Sequence, residues 1–519
     1  MASRFDVAVE VTGRALRESR PMRTWLQSLR WCGNAIPLTA DLAVKDRAVL
    51  AESGSEAIML FLVSVTDSNG TTRPVHLPLS IASVRLDPTA FELVASGDSF
   101  YVMEGERRES YAQFVIDAFR RGAKIQTESG DLLSFRGGGI AAFRGISPGQ
   151  VGDTSNLLVR IRTASGEIVL KSYKLLDPGN READILARLQ ARKFPHTARL
   201  LGEMALGRQK DRLVLGIMTE HVDSVDLFTW MRDAWHHALS GGREPGEELV
   251  KACRSIASDL GEATAALHDA LIDGHPGPWQ TEIFTSEDFG VAFKTATRSL
   301  GISLRRLGQL ARNSEPVLAP SVRSARTLLL DLRAPIEETL GYLEASVGGV
   351  KSVIHSDLHL AQVLRGRSDG KLWFIDFEGE PDRAPGARGR KLPPLRDVAT
   401  MVRSFAYVRH YVMRDFIGAD FRLASLAFEP DALPAPQRDV WDRLIGWEEQ
   451  MVDRFTESYV SRSALYRGLH RAEIDLLVRG WALEKALYEL EYELRHRIEN
   501  FPIPVDGIAA LVSSGRGPK

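Results

Sequence analysis

The sequence predicts an α+β fold in which a strand-rich N-terminal part gives way to a helical C-terminal part. Three observations predict it. Two apolar runs rich in β-formers, residues 57–65 and 73–81, flank Asn69-Gly70, a pair suited to a tight hairpin turn. Between about 140 and 222 the pattern reads strand pair, helix, strand pair. Beyond 223 long stretches repeat their apolar residues with a helical period, notably 247–272, 321–347 and 471–499.

The elements follow in chain order. "MRTWLQSLRWCG" (22–33) reads as a short amphipathic helix ended by Gly33. The hairpin comes next, and "ESYAQFVIDAFRRG" (109–122) reads as a helix among further short strands. "GGGIAA" (137–142) has the glycine spacing of a dinucleotide loop. Its flanks are wrong for one and the expected acidic residue is missing, so it reads as a flexible join. "SNLLVRIRT" and "IVLKSYKLL" form one strand pair around "ASGE", and "NREADILARLQAR" forms a helix. "TARLLGEMAL" and "DRLVLGIMTEHV" form the second pair. In the helical part, His268 falls on an amphipathic helix as a satisfied core histidine. Two short apolar strands, in "KSVIHSDLHLAQVLRG" and "KLWFIDFEGEP", interrupt the helices and are joined by the basic turn "RGRSDGK".

The bulk numbers exclude several classes. A chain of 519 residues is expected to form two to four domains. Hydrophobic content of 44% and charged content of 26% are those of a globular protein. A net charge of −2 gives no reason to expect nucleic acid or membrane as partner. Cys32 and Cys253 lie far apart, which argues against a disulfide framework or zinc site and for a reducing compartment. The first twenty residues lack the apolar core of a signal peptide, and the run 57–65 is too short to span a bilayer. A cytoplasmic chain is expected.

The chemistry concentrates in "HSDLHLAQVL" (355–364) and "WFIDFEGEP" (373–381). His355, Asp357, His359 and Asp376 are all possible ligands of a transition metal, but no H-E-x-x-H pattern or third nearby histidine supports a zinc hydrolase. Phosphoryl transfer accounts for more positions. It needs a base for the acceptor hydroxyl, oxygen ligands for magnesium and a cation on the phosphates. Asp357 is followed five positions on by Gln362, and Asp376 ends the next strand, with Phe377 and Glu378 after it. Upstream, Lys171 stands in an apolar strand, with Lys174 as its rival, and Glu182 lies on the next helix about one turn from its start. "GQVGDTSNLLV" offers a phosphate-covering hairpin with Ser155, and "MTEHV" (218–222), with Glu220 and Val222, a nucleotide linker. Each match alone is weak; their order along the chain carries the reading. A P-loop is absent.

"HSDLHLAQVL", "WFIDFEGEP" and "PLRDVATMVRSF" resemble the maltokinases and their relatives, the bacterial glucosamine kinases. Both are in the aminoglycoside-phosphotransferase branch of the protein-kinase-like fold. Ser356 and Ala361 stand where that family usually has Gly. "WLQSLRWCG" is similar to the family's N-terminal cap signature, with Cys32 in place of an aromatic residue, and residues 482–508 resemble its final helix. The likeness is loosest at about 90–145 and 275–345.

The resemblance implies a bilobal protein-kinase-like fold with a β-rich cap. The expected domains are a cap at 1–95, a linking subdomain at 96–145, a kinase N-lobe at 146–222 and a helical C-lobe at 223–519. It implies Asp357 as catalytic base, Gln362 and Asp376 as Mg2+ ligands, and Lys171 on the ATP phosphates with Glu182 as its partner. Ser155 would lie in the phosphate loop, His355 would brace the catalytic loop, and Asp397 would accept hydrogen bonds from it. On the last helix Lys485, Tyr488 and Glu491, together with Glu378 beside the metal, are the expected sugar contacts. A helix so rich in Glu, Arg and Tyr is also an ordinary solvated face. The implied reaction is ATP-dependent phosphorylation of maltose at position 1, feeding glycogen-type α-glucan synthesis from trehalose. Glucosamine phosphorylated at position 6 is the alternative. A monomer is expected, with trehalose synthase as a separate functional partner. A kinase-like regulatory module without activity is the rival reading, and the retention of Asp357, Gln362, Asp376 and Lys171 argues against it.

Overall fold

Two antiparallel sheets make up the strand-rich part. The computed structural model describes residues 4–32, 36–67, 70–147, 156–207, 212–240, 243–313, 318–380, 389–418 and 433–513. They divide into two units, 4–187 with 198–222, and 188–197 with 223–513.

The first unit opens with helices α1 (Arg4–Glu18) and α2 (Arg20–Ser28). The sequence reading passes over α1, whose Val7, Val9 and Val11 look strand-like. Yet Phe5, Ala8, Val9, Thr12 and Leu16 are buried at helical spacing. Helix α2 starts earlier and ends earlier than expected from 22–33. The Ser19 hydroxyl accepts the N–H of Met22, Pro21 suits the first turn, and the chain leaves the helix after Ser28. Five strands follow: β1 (Asp41–Glu52), β2 (Glu56–Thr66), β3 (Thr72–Ala82), β4 (Phe91–Ala95) and β5 (Asp98–Glu104). They form one sheet in the order β1-β2-β3-β5-β4. The expected hairpin is β2–β3, paired from Glu56↔Ala82 to Thr66↔Thr72. Asn69 lies outside the described residues, while Gly70 adopts the left-handed φ of 79° that its turn requires. The apolar faces of α1 and α2 close over Phe61, Leu77 and Phe100 to make this unit's first core.

After α3 (Glu109–Arg121), ended by Gly122 in the left-handed conformation, come β6 (Lys124–Gln126), β7 (Leu132–Gly137) and β8 (Phe143–Ile146). With β9 (Leu157–Thr163), β10 (Gly166–Ser172), β11 (Leu200–Leu206) and β12 (Leu213–Glu220) they form a seven-stranded sheet. Its order is β6-β7-β11-β12-β10-β9-β8, so strands from 124–146 and 157–220 share one sheet. Helix α4 (Glu182–Ala191) follows β10. Past Ser172 the chain turns onto the first sheet: His76 N–H donates to Lys174 O at 2.9 Å, and Leu176 N–H to Pro74 O at 2.9 Å.

The second unit is helical: α5 (Leu227–Ser240), α6 (Arg243–Ala270), α7 (Ser286–Asn313), α8 (Ala319–Asp331), α9 (Arg333–Gly341), α10 (Leu395–Ile417), α11 (Ala435–Arg462), α12 (Arg471–His496) and α13 (Pro502–Ser513). The single helix expected over 321–347 is broken between α8 and α9. Pro335 has no N–H, and its ring excludes the carbonyl of Asp331, four residues back. Helix α12 packs against α7, α9, α10 and α13 and is buried along most of its length. Gly261 lets α6 close on α11, since a Cβ there would lie 2.4 Å from Phe455 O. Among these helices sit β13 (Ser224–Asp226), β16 (Val363–Gly366) and β17 (Leu372–Phe374) in one small sheet, and β14 (Glu282–Ile283) with β15 (Val350–Lys351) in another. The β16–β17 hairpin turns at "RGRSDGK", as its sequence suggests.

Candidate functional site

In the first unit, the two candidate lysines are placed differently, Lys171 on β10 and Lys174 two residues past its end. Ile168, Leu170 and Ser172 face inward, so Lys171 lies on the opposite face. Its ammonium donates to Glu182 Oε2 at 2.6 Å, and the Tyr173 hydroxyl donates to the same oxygen at 2.7 Å. Strand β12 fits against β10 here because Gly216 has no side chain; a Cβ would stand 2.7 Å from Lys171 O. Lys174 is instead fully buried, paired with Glu106 beside the ring of Trp31. Burial removes Lys174 from solvent-borne ligands and leaves Lys171, paired but at the rim of the core. Glu220 is exposed on Arg199 at 2.7 Å, and Val222 is half-buried. Ser155 lies outside the described residues.

In the second unit, a loop carries the acidic cluster. Ser356 and Asp376 both adopt left-handed backbone, with φ of 72° and 66°. Such residues cost about 1–2 kcal/mol each when not glycine, so the surroundings must hold them. Asp397, in the first turn of α10, accepts His355 N–H at 2.7 Å and Ser356 N–H at 2.9 Å. His268 Nε2 lies 3.2 Å from Asp397 and its Nδ1 lies 2.8 Å from the Tyr459 hydroxyl. The His355 ring ties the loop to the second strand, with Nε2 2.9 Å from Ile375 O and the ring on Phe377.

Asp357 follows the strained Ser356, and its side chain is 16% exposed. Its Oδ1 accepts from Lys485 at 2.9 Å, while Oδ2 lies 3.8 Å from His359 Nε2. Burial holds the His359 pKa below its ordinary value, so at neutral pH the ring is uncharged. Lys485 also donates to Glu380 at 2.8 Å. Burial works against its ammonium, but Asp357 and Glu380 outweigh it and the Lys485 pKa is raised. Arg396 completes the set: it donates from Nη2 to both oxygens of Glu380, at 3.0 and 2.9 Å, from Nε to Glu484 at 3.1 Å and from Nη1 to Ser356 O at 3.2 Å. Gln362 closes the cluster's other side, where its amide donates to Asp376 Oδ2 at 2.8 Å.

Residues 150–411 match the phosphotransferase enzyme family, APH. The chain belongs to that family. A glucosamine kinase of Streptacidiphilus jiangxiensis is 24% identical over 330 residues, 63% of this chain and 62% of that protein. One from Mycolicibacterium smegmatis is 29% identical over 294 residues, 56% of this chain and 61% of that protein. The aligned part thus spans about three-fifths of each of these relatives. Among solved structures, a glucosamine kinase in crystal form B superposes with a TM-score of 0.64 at 18% identity, covering 96% of this chain and 99% of that one. A glucosamine kinase in complex with glucosamine, ADP and inorganic phosphate gives a TM-score of 0.60 at 17% identity, covering 96% and 98%. These similarities establish the kinase-like α+β fold of this phosphotransferase-family chain.

The structure brings together Lys171 with Glu182, Asp357 with Lys485, Gln362 with Asp376, and the backbone of His355 and Ser356 with Asp397. Tyr488 lies under the Lys485 ammonium at 4.8 Å from the ring centre and stacks on Tyr492. Glu491 does not join this cluster through any described contact; it pairs with Arg495 at 2.7 Å, the ordinary i,i+4 reading of that helix. Glu378 is half-buried beside Asp376 in sequence. Glu380 braces Arg396 and Lys485. The sequence reading misses Arg396, although it stands inside the quoted "PLRDVA". It also misses that His268 props Asp397. No local spacing announces either role, because the partners lie far away in the chain. No helix among the described residues is long and apolar enough to cross a membrane.

Proposed function

We infer that this chain transfers the γ-phosphate of ATP to a hydroxyl of a sugar. The observation that carries the reading is the Asp357 carboxylate: partly exposed, fixed through Oδ1 by Lys485, and set on a loop that Asp397 and Arg396 hold from both sides. Such a carboxylate suits a base that takes the proton of an acceptor hydroxyl. Oδ2 is the oxygen turned away from Lys485, and the uncharged His359 beside it does not compete as a cation. Asp376 and the amide carbonyl of Gln362, whose nitrogen holds Asp376 Oδ2, are the hard oxygen donors that would take the magnesium of Mg-ATP, which would neutralise phosphate charge when bound. Lys171, oriented by Glu182, would meet the phosphates. Ser155, Glu220 and Val222 remain in this proposal as nucleotide contacts. Lys485 enters it as the orienter of Asp357, with Tyr488, Glu378 and Glu491 as the sugar-facing set.

Glucosamine leads as acceptor because the matched relatives and solved structures are named glucosamine kinases. Maltose, with its link to trehalose and glycogen-type metabolism, is the second reading and rests on the resemblance of "HSDLHLAQVL" and "DFEGEP". The test is a product assay with ATP, Mg2+ and a panel of sugars, followed by assignment of the phosphorylated carbon. Glucosamine 6-phosphate supports the leading reading, and maltose 1-phosphate the second. Absence of any phosphorylated sugar would overturn both.

A further inference from the structure

The chain as a whole balances its charges, with Lys+Arg 66 against Asp+Glu 68. The antiparallel pair α7–α8 does not. Between Phe289 and Leu330 the one acidic residue is Glu315, which lies outside the described residues. Every Lys and Arg of that stretch is exposed. Lys294, Arg298, Arg305 and Arg312 recur at offsets 0, 4, 11 and 18, one face of α7. Arg306 on α7, and Arg323 and Arg326 on α8, extend the positive surface.

Three features set this surface apart from an ordinary solvated face. Several exposed helical arginines elsewhere pair with an acid, as in Arg333–Glu337, Arg443–Asp439 and Arg471–Asp475. None of the α7–α8 cations has a carboxylate partner among the described residues. Second, two of the guanidinium groups converge across the helix pair. A Cβ built at Gly308 would meet Arg326 Nε at 3.4 Å and Arg312 Nη1 at 3.9 Å, so two cations from different helices lie over one glycine. Like charges held together raise the local potential and favour an anionic partner. Third, no Phe, Trp or Tyr occurs from 294 to 326. Stacking on bases and anchoring at a bilayer interface both use aromatic side chains, and neither is provided for here.

We propose that the α7–α8 hairpin is a docking surface for an acidic segment of a partner protein. The stripe from Lys294 to Arg312 is about 27 Å long, a match for some five turns of a glutamate-rich helix. Guanidinium forks pair bidentately with carboxylates, which suits an arginine-dominated stripe. The rest of the chain is net acidic, which favours a short acidic segment matched to the hairpin over a bilayer or a long nucleic acid that would extend past it. None of these residues belongs to the proposed catalytic set, so the surface stands or falls independently of the sugar-kinase reading.

The test is binding of a fluorescent glutamate-rich peptide of about 20 residues to the full chain, followed by anisotropy. A duplex oligonucleotide and phosphatidylserine-containing vesicles are measured in parallel. The expected result is saturable peptide binding that weakens with salt and falls at least tenfold in the Arg298→Glu/Arg305→Glu/Arg312→Glu variant. A second variant, Arg323→Glu/Arg326→Glu on the other helix, guards against a folding defect and is expected to weaken binding too. Both should keep the wild-type circular dichroism and whatever phosphotransfer the wild type shows. Absence of peptide binding, undiminished binding by both variants, or tighter binding of the oligonucleotide or vesicles would each overturn the proposal.

Discussion

Around Asp357 the buried charges sit between counter-charges: Lys485 between Asp357 and Glu380, Arg396 between Glu380 and Glu484. On α7–α8 the cations stand at the surface with no carboxylate beside them among the described residues. The difference follows from solvent. A charge removed from water costs several kcal/mol unless paired and hydrogen-bonded, so an interior network persists only when it closes on itself. A surface charge costs nearly nothing to leave unpaired, so its pattern is free to serve another molecule. Closed networks position machinery, and open ones face outward.

The contrast breaks first at Arg396, which is 2% exposed. Arg396→Met would leave Glu380 and Glu484 buried without their shared cation and free the carbonyl of Ser356. The expected loss is about 3–5 kcal/mol, read as a lowered denaturation midpoint. A change under about 1 kcal/mol would mean that the network is not closed in solution.

A pH-dependent edge comes next. Glu493 on α12 accepts from Tyr407, Arg497 and Asn500, and burial pushes its pKa up from 4.5 to about 7. The folded value exceeds the unfolded one. Its contribution to stability is therefore full below pH 4.5 and is lost as pH rises through 7. The wild type should lose on the order of 3 kcal/mol across that window from this group, and Glu493→Gln should show a correspondingly flatter profile. Melting curves of both proteins at acid and alkaline ends of the window would settle it; parallel slopes would count against the assignment.

Smaller effects sharpen the comparison. Ser356→Gly should stabilise the fold by about 1 kcal/mol or less, because glycine adopts the left-handed backbone without strain but pays more chain entropy. Arg305→Ala should shift stability by no more than about 0.5 kcal/mol, as expected for an exposed side chain with no described partner. A larger loss there would show that the hairpin uses its cations internally.

Much of this was legible in the sequence where the signal is local. The spacing from Asp357 to Gln362 and Asp376 is short and sits on a β16–β17 hairpin whose turn residues are plain. Lys171 and Lys174 were not separable, because both stand in one strand-like run; the strand ends at Ser172, and only the packing of Lys174 against Glu106 and Trp31 says which of the two is sealed. Arg396 was opaque for a different reason. Glu380 and Glu484 lie 16 and 88 residues away, and pairings at that distance leave no periodicity. The α7–α8 stripe was hidden by averaging, since a net charge of −2 conceals a local excess of arginine.

The most direct test of the account is transfer of labelled γ-phosphate from ATP to glucosamine by the wild type and by Asp357→Asn, run side by side with Mg2+. The account predicts a phosphorylated sugar from the wild type and a rate lower by about a thousandfold in the variant, whose overall fold is retained. Undiminished transfer by Asp357→Asn would contradict it.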